Sequence, residues 1–228
     1  MIEMAHVFKT YPSKIAALSD INLEVSPGEF IFIAGPSGSG KTTLLHILFC
    51  SEKPTRGQVI VNGIDITQKG FKKIYQLRRK IGMVFQDFKL LRDRTVGENI
   101  AFALEVTGHP QKEIQRRVSA ILEWVGLLGR ERDSVLTLSA GEQQRIAIAR
   151  AVVNNPLLLL ADEPTGNLDD QMTSDVMTLF IALHRQGTTV VFATQSRDLI
   201  RRYRYPAIQL PNGRRVNGET EGGMKGER

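Results

Sequence analysis

Gly35-Pro36-Ser37-Gly38-Ser39-Gly40-Lys41-Thr42 decides the fold of this chain. The stretch fits G-x-x-x-x-G-K-[ST], a glycine-rich turn whose backbone N–H groups surround phosphates while the lysine reaches the terminal ones. At average residue frequencies a chance match in a chain of this length has a probability on the order of 1%, so coincidence is set aside. The flanks agree with the motif. Residues 30–34, Phe-Ile-Phe-Ile-Ala, predict a buried strand before the turn, and residues 42–49 predict a helix after it. That order sets the unpaired N–H groups and positive dipole end of a helix beneath the phosphates. The stretch reads as a nucleoside triphosphate site, with Lys41 on the β- and γ-phosphates, the Thr42 hydroxyl on Mg²⁺ and Thr43 beside it.

Outward from the motif, 228 residues suffice for one large domain or a core with one insertion. No apolar run approaches the ~18 residues of a membrane span. The start Met1-Ile-Glu-Met-Ala-His lacks the basic-then-apolar layout of a secretory signal. Cys50 is the only cysteine, which excludes an intramolecular disulfide and suits a reducing compartment. The expectation is a cytosolic protein.

The net charge is +6, with basic clusters at Lys69, Lys72, Lys73, Arg78, Arg79 and Lys80, and at Arg201, Arg202 and Arg204. Such clusters are either an ordinary solvated face or a surface for an anionic partner, nucleic acid or the cytoplasmic leaflet of a membrane. No nucleic-acid module accompanies them, so a nucleic-acid partner is not expected.

Strands are predicted over residues 2–9, 21–25 and 58–61, with a turn at Asn62-Gly63. A basic helix is predicted over 71–80 and a strand over 81–85, ending at Gln86. Residues 95–153 carry only helical patterning. Thr95-Val-Gly-Glu98 and Ser139-Ala-Gly-Glu142 both have capping-box spacing, and Pro110 is expected at a first helical position. Strand–helix alternation returns with strands over 157–161, 188–193 and 207–210 and a helix over 173–185. Alternation of this kind implies a parallel sheet covered on both faces. A turn is predicted at Pro211-Asn212-Gly213, and the Gly-rich polar tail over 217–228 is expected to be disordered.

Asp162 and Glu163 directly follow the apolar run 157–161, where a carboxylate at the C-terminal edge of a parallel sheet faces the ligand crevice. Asp162 fits the magnesium side, and Glu163 fits the polarisation of an attacking water. Gln86 also ends a strand. Its amide oxygen suits Mg²⁺ or the lytic water, and an exposed loop glutamine is the plainer alternative. Leu138-Ser139-Ala140-Gly141-Glu142 is either a well-capped helix or a second phosphate-binding surface. One triphosphate seldom needs two such surfaces, so the second suggests completion by another subunit.

With these residues in hand, the chain resembles the ATP-binding-cassette ATPases over nearly its whole length. The resemblance implies an α/β fold: a RecA-like P-loop NTPase core with a mostly parallel sheet, N-terminal antiparallel strands and an inserted all-helical subdomain. Residues 1–86 and 156–216 would form the nucleotide-binding core and 87–155 the helical subdomain. It further implies ATP sandwiched in a head-to-tail homodimer between the phosphate loop of one subunit and the signature Leu138–Glu142 of the other. Gln86 matches the Q-loop, Asp162 and Glu163 the Walker B pair, and Asn167-Leu168-Asp169 the D-loop. Tyr11 matches the aromatic that stacks on adenine, and an ordinary hairpin aromatic is the alternative.

Residues 161–169 resemble the branch of lipoprotein-releasing, macrolide-exporting and cell-division ATPases, and residues 85–95, 116–120, 125–128 and 150–154 resemble its cell-division members most closely. That implies a place on the inner face of the membrane beside an FtsX-like integral membrane protein, with division-ring proteins as further partners. Mechanical signalling to septal peptidoglycan hydrolases would follow. An export ATPase and an ATP-dependent scaffold of slow turnover are the alternatives. Two residues depart from the family pattern. Gln195 replaces the switch histidine, keeping a hydrogen bond and losing the charge. Ala140 replaces a glycine and narrows the backbone's freedom. Both departures bear on the rate of hydrolysis.

Overall fold

Apolar residues alternate with polar ones along the N-terminal segment, and the result is a sheet with one buried face. The computed structural model describes residues 1–210; the turn predicted at 211–213 and the tail predicted from 217 lie outside the described residues. The chain forms two compact units, one of Met1–Ile74 with the described residues from Thr189, the other of Tyr75–Thr188.

In the first unit, β1 (Ile2–Thr10) pairs antiparallel with β2 (Ala16–Val25), and Ile2, Met4, Val7, Leu18, Ile21, Leu23 and Val25 fill the buried face. The chain then enters β3 (Phe30–Ala34), buried at every position, and the helix α1 (Lys41–Leu48). β4 (Arg56–Val61) joins the free side of β1, and β5 (Ile64–Asp65) closes a hairpin on it. Asn62 and Gly63 between them have φ of 51° and 73°, the doubly positive pair that a tight type I′ hairpin demands.

The basic helix predicted over 71–80 is shorter than its sequence suggested: α2 spans Ile74–Arg78, with Leu77 its only buried residue. One apolar anchor cannot hold a longer helix against adjacent like charges, so Lys72 and Lys73 precede it in irregular backbone.

The second unit pairs β6 (Ile81–Val84) parallel to β7 (Leu158–Asp162), both buried throughout. Between them come α3 (Val96–Glu105), α4 (Gln111–Trp124), a 3₁₀ turn at Val135–Thr137 and α5 (Ala140–Val152). One apolar cluster joins them: Val96, Ile100 and Leu104 from α3, Ile114, Val118 and Leu122 from α4, Ile146 and Ala149 from α5. The Thr95 capping box forms with both of its bonds. Pro110 stands one position earlier than expected, as the extended N-cap of α4, where the missing N–H costs nothing. α6 (Asp170–Arg185) begins earlier than predicted because Asp169 caps it, accepting the Met172 N–H at 2.7 Å.

The chain returns to the first unit through β8 (Thr189–Thr194), α7 (Arg197–Tyr203) and β9 (Ala207–Gln209). β3 runs parallel between β8 and β9. The short α7 was not read from the sequence; Ser196 caps it and Arg204 ends it at φ 53°. The expected α/β fold is therefore the one formed: parallel strands accompanied by helices, an N-terminal antiparallel sheet, and a run of helices between β6 and β7.

Candidate functional site

The glycine-rich turn Gly35–Gly40 lies between β3 and α1, which opens with Lys41. Pro36, Ser37 and Gly38 are exposed at its tip, and Gly38 and Gly40 have φ of 75° and 92°. A side chain on Gly40 would strike the carbonyl of Ala17; only glycine supplies both that backbone angle and that space. Lys41 is 5% exposed, and its Nζ donates to the Gly35 and Pro36 carbonyls at 2.8 and 3.0 Å. Ser39 is buried, and its Oγ has no hydrogen-bond partner among the described residues, an unusual condition for a buried hydroxyl. Thr42 is exposed on the first turn of α1, while Thr43 is buried.

Tyr11, in the hairpin between β1 and β2, is tied to this helix: its hydroxyl lies 3.3 Å from Thr43 Oγ1. Lys9 Nζ sits 4.9 Å from the Tyr11 ring centroid, within cation–π range. Gln195 is the first residue past β8 and is exposed. Ala34 stands opposite Thr194 in the parallel register, so Gly35 and Gln195 leave the sheet at the same C-terminal edge, where parallel sheets bind ligands.

In the second unit, Val84 stands opposite Ala161. Asp162 is one residue beyond that pair and Gln86 two beyond it, which brings them to one strand edge. Asp162 is 4% exposed and Gln86 is exposed. Glu163 is half-buried with φ 46°. A non-glycine residue held there costs of order 1–3 kcal/mol, and such strain gathers at functional positions. The turn that holds it is closed by the Gly166 N–H donating to the Glu163 carbonyl at 3.0 Å and Leu168 N–H to Thr165 at 3.2 Å.

The head of α5 forms the second capping box. Ser139 Oγ accepts the Glu142 N–H, while Glu142 Oε2 accepts the Ser139 N–H at 2.8 Å and its hydroxyl at 2.9 Å. Arg130 Nη1 donates to Glu142 Oε1 at 3.0 Å, and its Nε pairs with Asp133. The Ser139 backbone N–H, then its hydroxyl, then Arg130 hold the Glu142 carboxyl below the ordinary carboxylate range. Leu138 is buried, and Ser139 and Ala140 are exposed; the alanine methyl leaves the cap intact. Gly141 is buried against Met172 of α6. A cavity of about 240 Å³ between α5 and α6 is lined by Ser139, Arg145, Asp169, Met172 and Asp175. Of the Asn167-Leu168-Asp169 loop, Asn167 is exposed and Asp169 is committed to capping α6.

Two residues went unread in the sequence. Asn99, fully buried, accepts the Leu91 N–H at 2.8 Å and donates to the Leu91 and Thr95 carbonyls at 3.0 and 2.9 Å. Arg150 reaches the same stretch from α5. An asparagine four residues past a capping threonine, at the head of the apolar run from Ile100, was the available signal for the first. Arg150, tens of residues from its partners, gave none.

Among the described residues no helix is long and apolar enough to cross a membrane, and no cluster of three His, Cys, Asp or Glu could hold a metal unaided.

Residues 18–166 match the ABC transporter family profile. The chain is 45% identical to the cell division ATP-binding protein FtsE of Bacillus subtilis, over 97% of each chain. It is 47% identical to the protein of that name from Mycobacterium tuberculosis, again over 97% of each. Its fold superposes on the dimeric post-hydrolysis structure of the ATP-binding cassette MJ0796 bound to ADP and Pi, with a TM-score of 0.88 and 36% identity, over 98% of this chain and 100% of that one. A glycine-rich turn on a parallel sheet edge, a carboxylate on left-handed backbone after a buried strand and a doubly capped helix thus occur in a sequence that aligns over 97% of its length with known relatives: the chain belongs to the ABC transporter family of ATPases.

Proposed function

We propose that this chain is the ATP-hydrolysing subunit of an FtsE-like cell-division complex, dimerising around ATP and driving an FtsX-like membrane partner that regulates septal peptidoglycan hydrolysis. In this reading residues 1–86 and 156–216 are the nucleotide-binding core and 87–155 the signature subdomain. The loop between β3 and α1 carries the reading: its left-handed glycines, its buried unpartnered Ser39 hydroxyl and its folded-back Lys41 are groups that a triphosphate satisfies. Anionic oxygens form stronger hydrogen bonds than the carbonyls that Lys41 now meets.

ATP binds with Tyr11 against adenine and the 35–43 stretch around its phosphates. The Thr42 hydroxyl, the Gln86 amide oxygen and the Asp162 carboxylate are hard oxygen donors of the kind Mg²⁺ takes, too few to cage it without the phosphates. Bound Mg²⁺ would neutralise charge on the phosphate oxygens. Glu163 accepts a proton from water as the water oxygen bonds to the γ-phosphorus and the bond to the ADP oxygen breaks. Gln195 donates a hydrogen bond to the γ-phosphate, and Ser139 to Gly141 of a second copy complete the site. Without the charge of a switch histidine, turnover is slow, which favours the ATP-dependent scaffold as a second reading.

Support for a docked membrane partner comes from an uncovered apolar surface in the second unit. Tyr75, Val106 and Phe102 are 59%, 56% and 38% exposed. Arg79 Nη2 lies 3.5 Å from the Val106 carbonyl, and Arg94 lies over the Phe102 ring. Placement on the inner face of the membrane follows from that partner; division-ring proteins are further candidates. Two measurements test the proposal. Lys41→Ala should abolish ATP hydrolysis by the purified chain. The chain should leave the membrane fraction of cells lacking the FtsX-like protein, and retention there would shift the attachment to lipid.

A further inference from the structure

After β6 the backbone makes two tight turns, with the Phe88 N–H on the Phe85 carbonyl at 3.1 Å and the Lys89 N–H on Asp87 at 2.6 Å. Phe88 and Lys89 are consecutive non-glycine residues in the left-handed region, at φ of 60° and 48°. Such a pair persists only where its surroundings over-determine it. Arg150 supplies that constraint: Nη1 donates to the Lys89 carbonyl and Nη2 to the Phe88 carbonyl, each at 2.7 Å. Burial lowers the pKa of this guanidinium, which stays charged all the same. Its planar fork meets each of the two carbonyls with a separate nitrogen in fixed geometry, where an ammonium would reach both from a single point.

Arg150 sits near the C-terminal end of α5, and Ser139 caps the other end. α5 also packs closely on β6: a Cβ on Gly82 would lie 2.5 Å from the Ala151 carbonyl. One rigid helix therefore carries the signature at its head and a clamp on the turn that follows Gln86 near its tail. We infer that Arg150 is a positioning residue that ties the Gln86 turn to α5, so that a phosphate meeting Ser139 at one end of the helix is felt by Gln86 at the other. The inference rests on the nucleotide contacts proposed for Gln86 and Ser139. In a head-to-tail dimer those two residues serve opposite ATP molecules, and Arg150 then links the two sites within each subunit.

The test uses the full-length chain, with Arg150→Met, the charge-retaining Arg150→Lys, Gln86→Ala and the Arg150→Met/Gln86→Ala double variant. Removing a group that orients a ligand typically costs about 10–100-fold, and Arg150→Met should lower kcat by that factor and raise the Mg²⁺ concentration needed for half activity. Arg150→Lys should recover only part of the loss. The double variant should be no slower than Gln86→Ala alone, within about twofold, because both changes remove the same action. Losses that multiply would make Arg150 merely structural and overturn the inference. Hydrogen exchange gives a second reading that needs no hydrolysis. Amides of residues 88–91 should exchange at least about tenfold faster in Arg150→Met while those of α5 and β6 hold their rates. Unchanged protection at 88–91 would also overturn it. A wild-type chain that does not hydrolyse ATP would sink the nucleotide reading, and the exchange measurement would still decide the clamp.

Discussion

The sulfur of Met172 occupies the space that a side chain on Gly141 would fill: a Cβ built there lies 2.8 Å from Met172 Sδ. The helix α5 and the helix α6, which Asp169 caps, therefore meet at a contact that a larger residue at 141 would open only by displacing the Met172 thioether. Because the thioether ends a flexible side chain, Gly141→Ala should destabilise the protein by no more than about 1 kcal/mol. For a chain of this size that is at most about 2–4 °C in Tm. Adding Met172→Ala should return most of it, and thermal melts in which the double variant is no better than Gly141→Ala would remove the packing explanation.

Glu163 makes an opposite prediction. Its left-handed backbone is strained for any residue with a Cβ, so Glu163→Gly should gain about 1 kcal/mol of stability, or about 2–4 °C in Tm, while hydrolysis is lost with the carboxylate. An active glycine variant would deny Glu163 its proton-accepting role. A less stable one would mean the strain is compensated by contacts of the side chain.

The pH dependence of stability has a contribution from Glu142. Its folded pKa lies below the ordinary 4.5 because Ser139 and Arg130 favour the carboxylate. The folded chain therefore binds fewer protons at this site than the unfolded chain, and the stabilisation is complete above pH 4.5 and is lost as pH falls through the lower folded value. Melts of the wild type and Glu142→Gln should converge towards acid pH and separate towards neutrality. A constant gap between pH 3 and 7 would show that ionisation of Glu142 contributes nothing.

What could be read beforehand was local. The all-apolar residues 30–34 could only be a buried strand, and it formed with those bounds. The capping boxes at Thr95 and Ser139 formed with both bonds because each is complete within four residues. The basic stretch 71–80 misled, since charge and helix propensity say nothing about how few of its residues find a core; only Leu77 does. Asp169 extended α6 beyond the apolar pattern because a cap acts through one side-chain oxygen and leaves no periodicity. The contacts of Arg150 with Phe88 and Lys89, and of Met172 with Gly141, join residues that only the completed fold makes neighbours. The first six motif residues, by contrast, stood at a strand-to-helix junction as their spacing required.

Gln195 tests the chemistry of the proposed switch. A positioned charge-stabilising group contributes about 10²–10⁴ in rate, and a glutamine keeps only the hydrogen bond. Gln195→His should raise kcat about 10–100-fold with ATP affinity changed by less than about threefold. Steady-state hydrolysis beside nucleotide titration gives both numbers. An unmoved kcat would mean that glutamine already performs the switch role or sits away from the phosphate, and the scaffold reading would lose its support.

In the proposed function, ATP joins two copies of this chain through residues 35–42 of one and Leu138–Glu142 of the other. Glu163→Gln removes the proton acceptor and spares the binding groups, so bound ATP should persist and hold the pair together. Sedimentation velocity of this variant with ATP and Mg²⁺ measures it directly. The expected result is a dimer that dissociates when ATP is withdrawn or when Ser139→Ala is added; a monomer persisting at tens of micromolar with ATP present would rule the sandwich out.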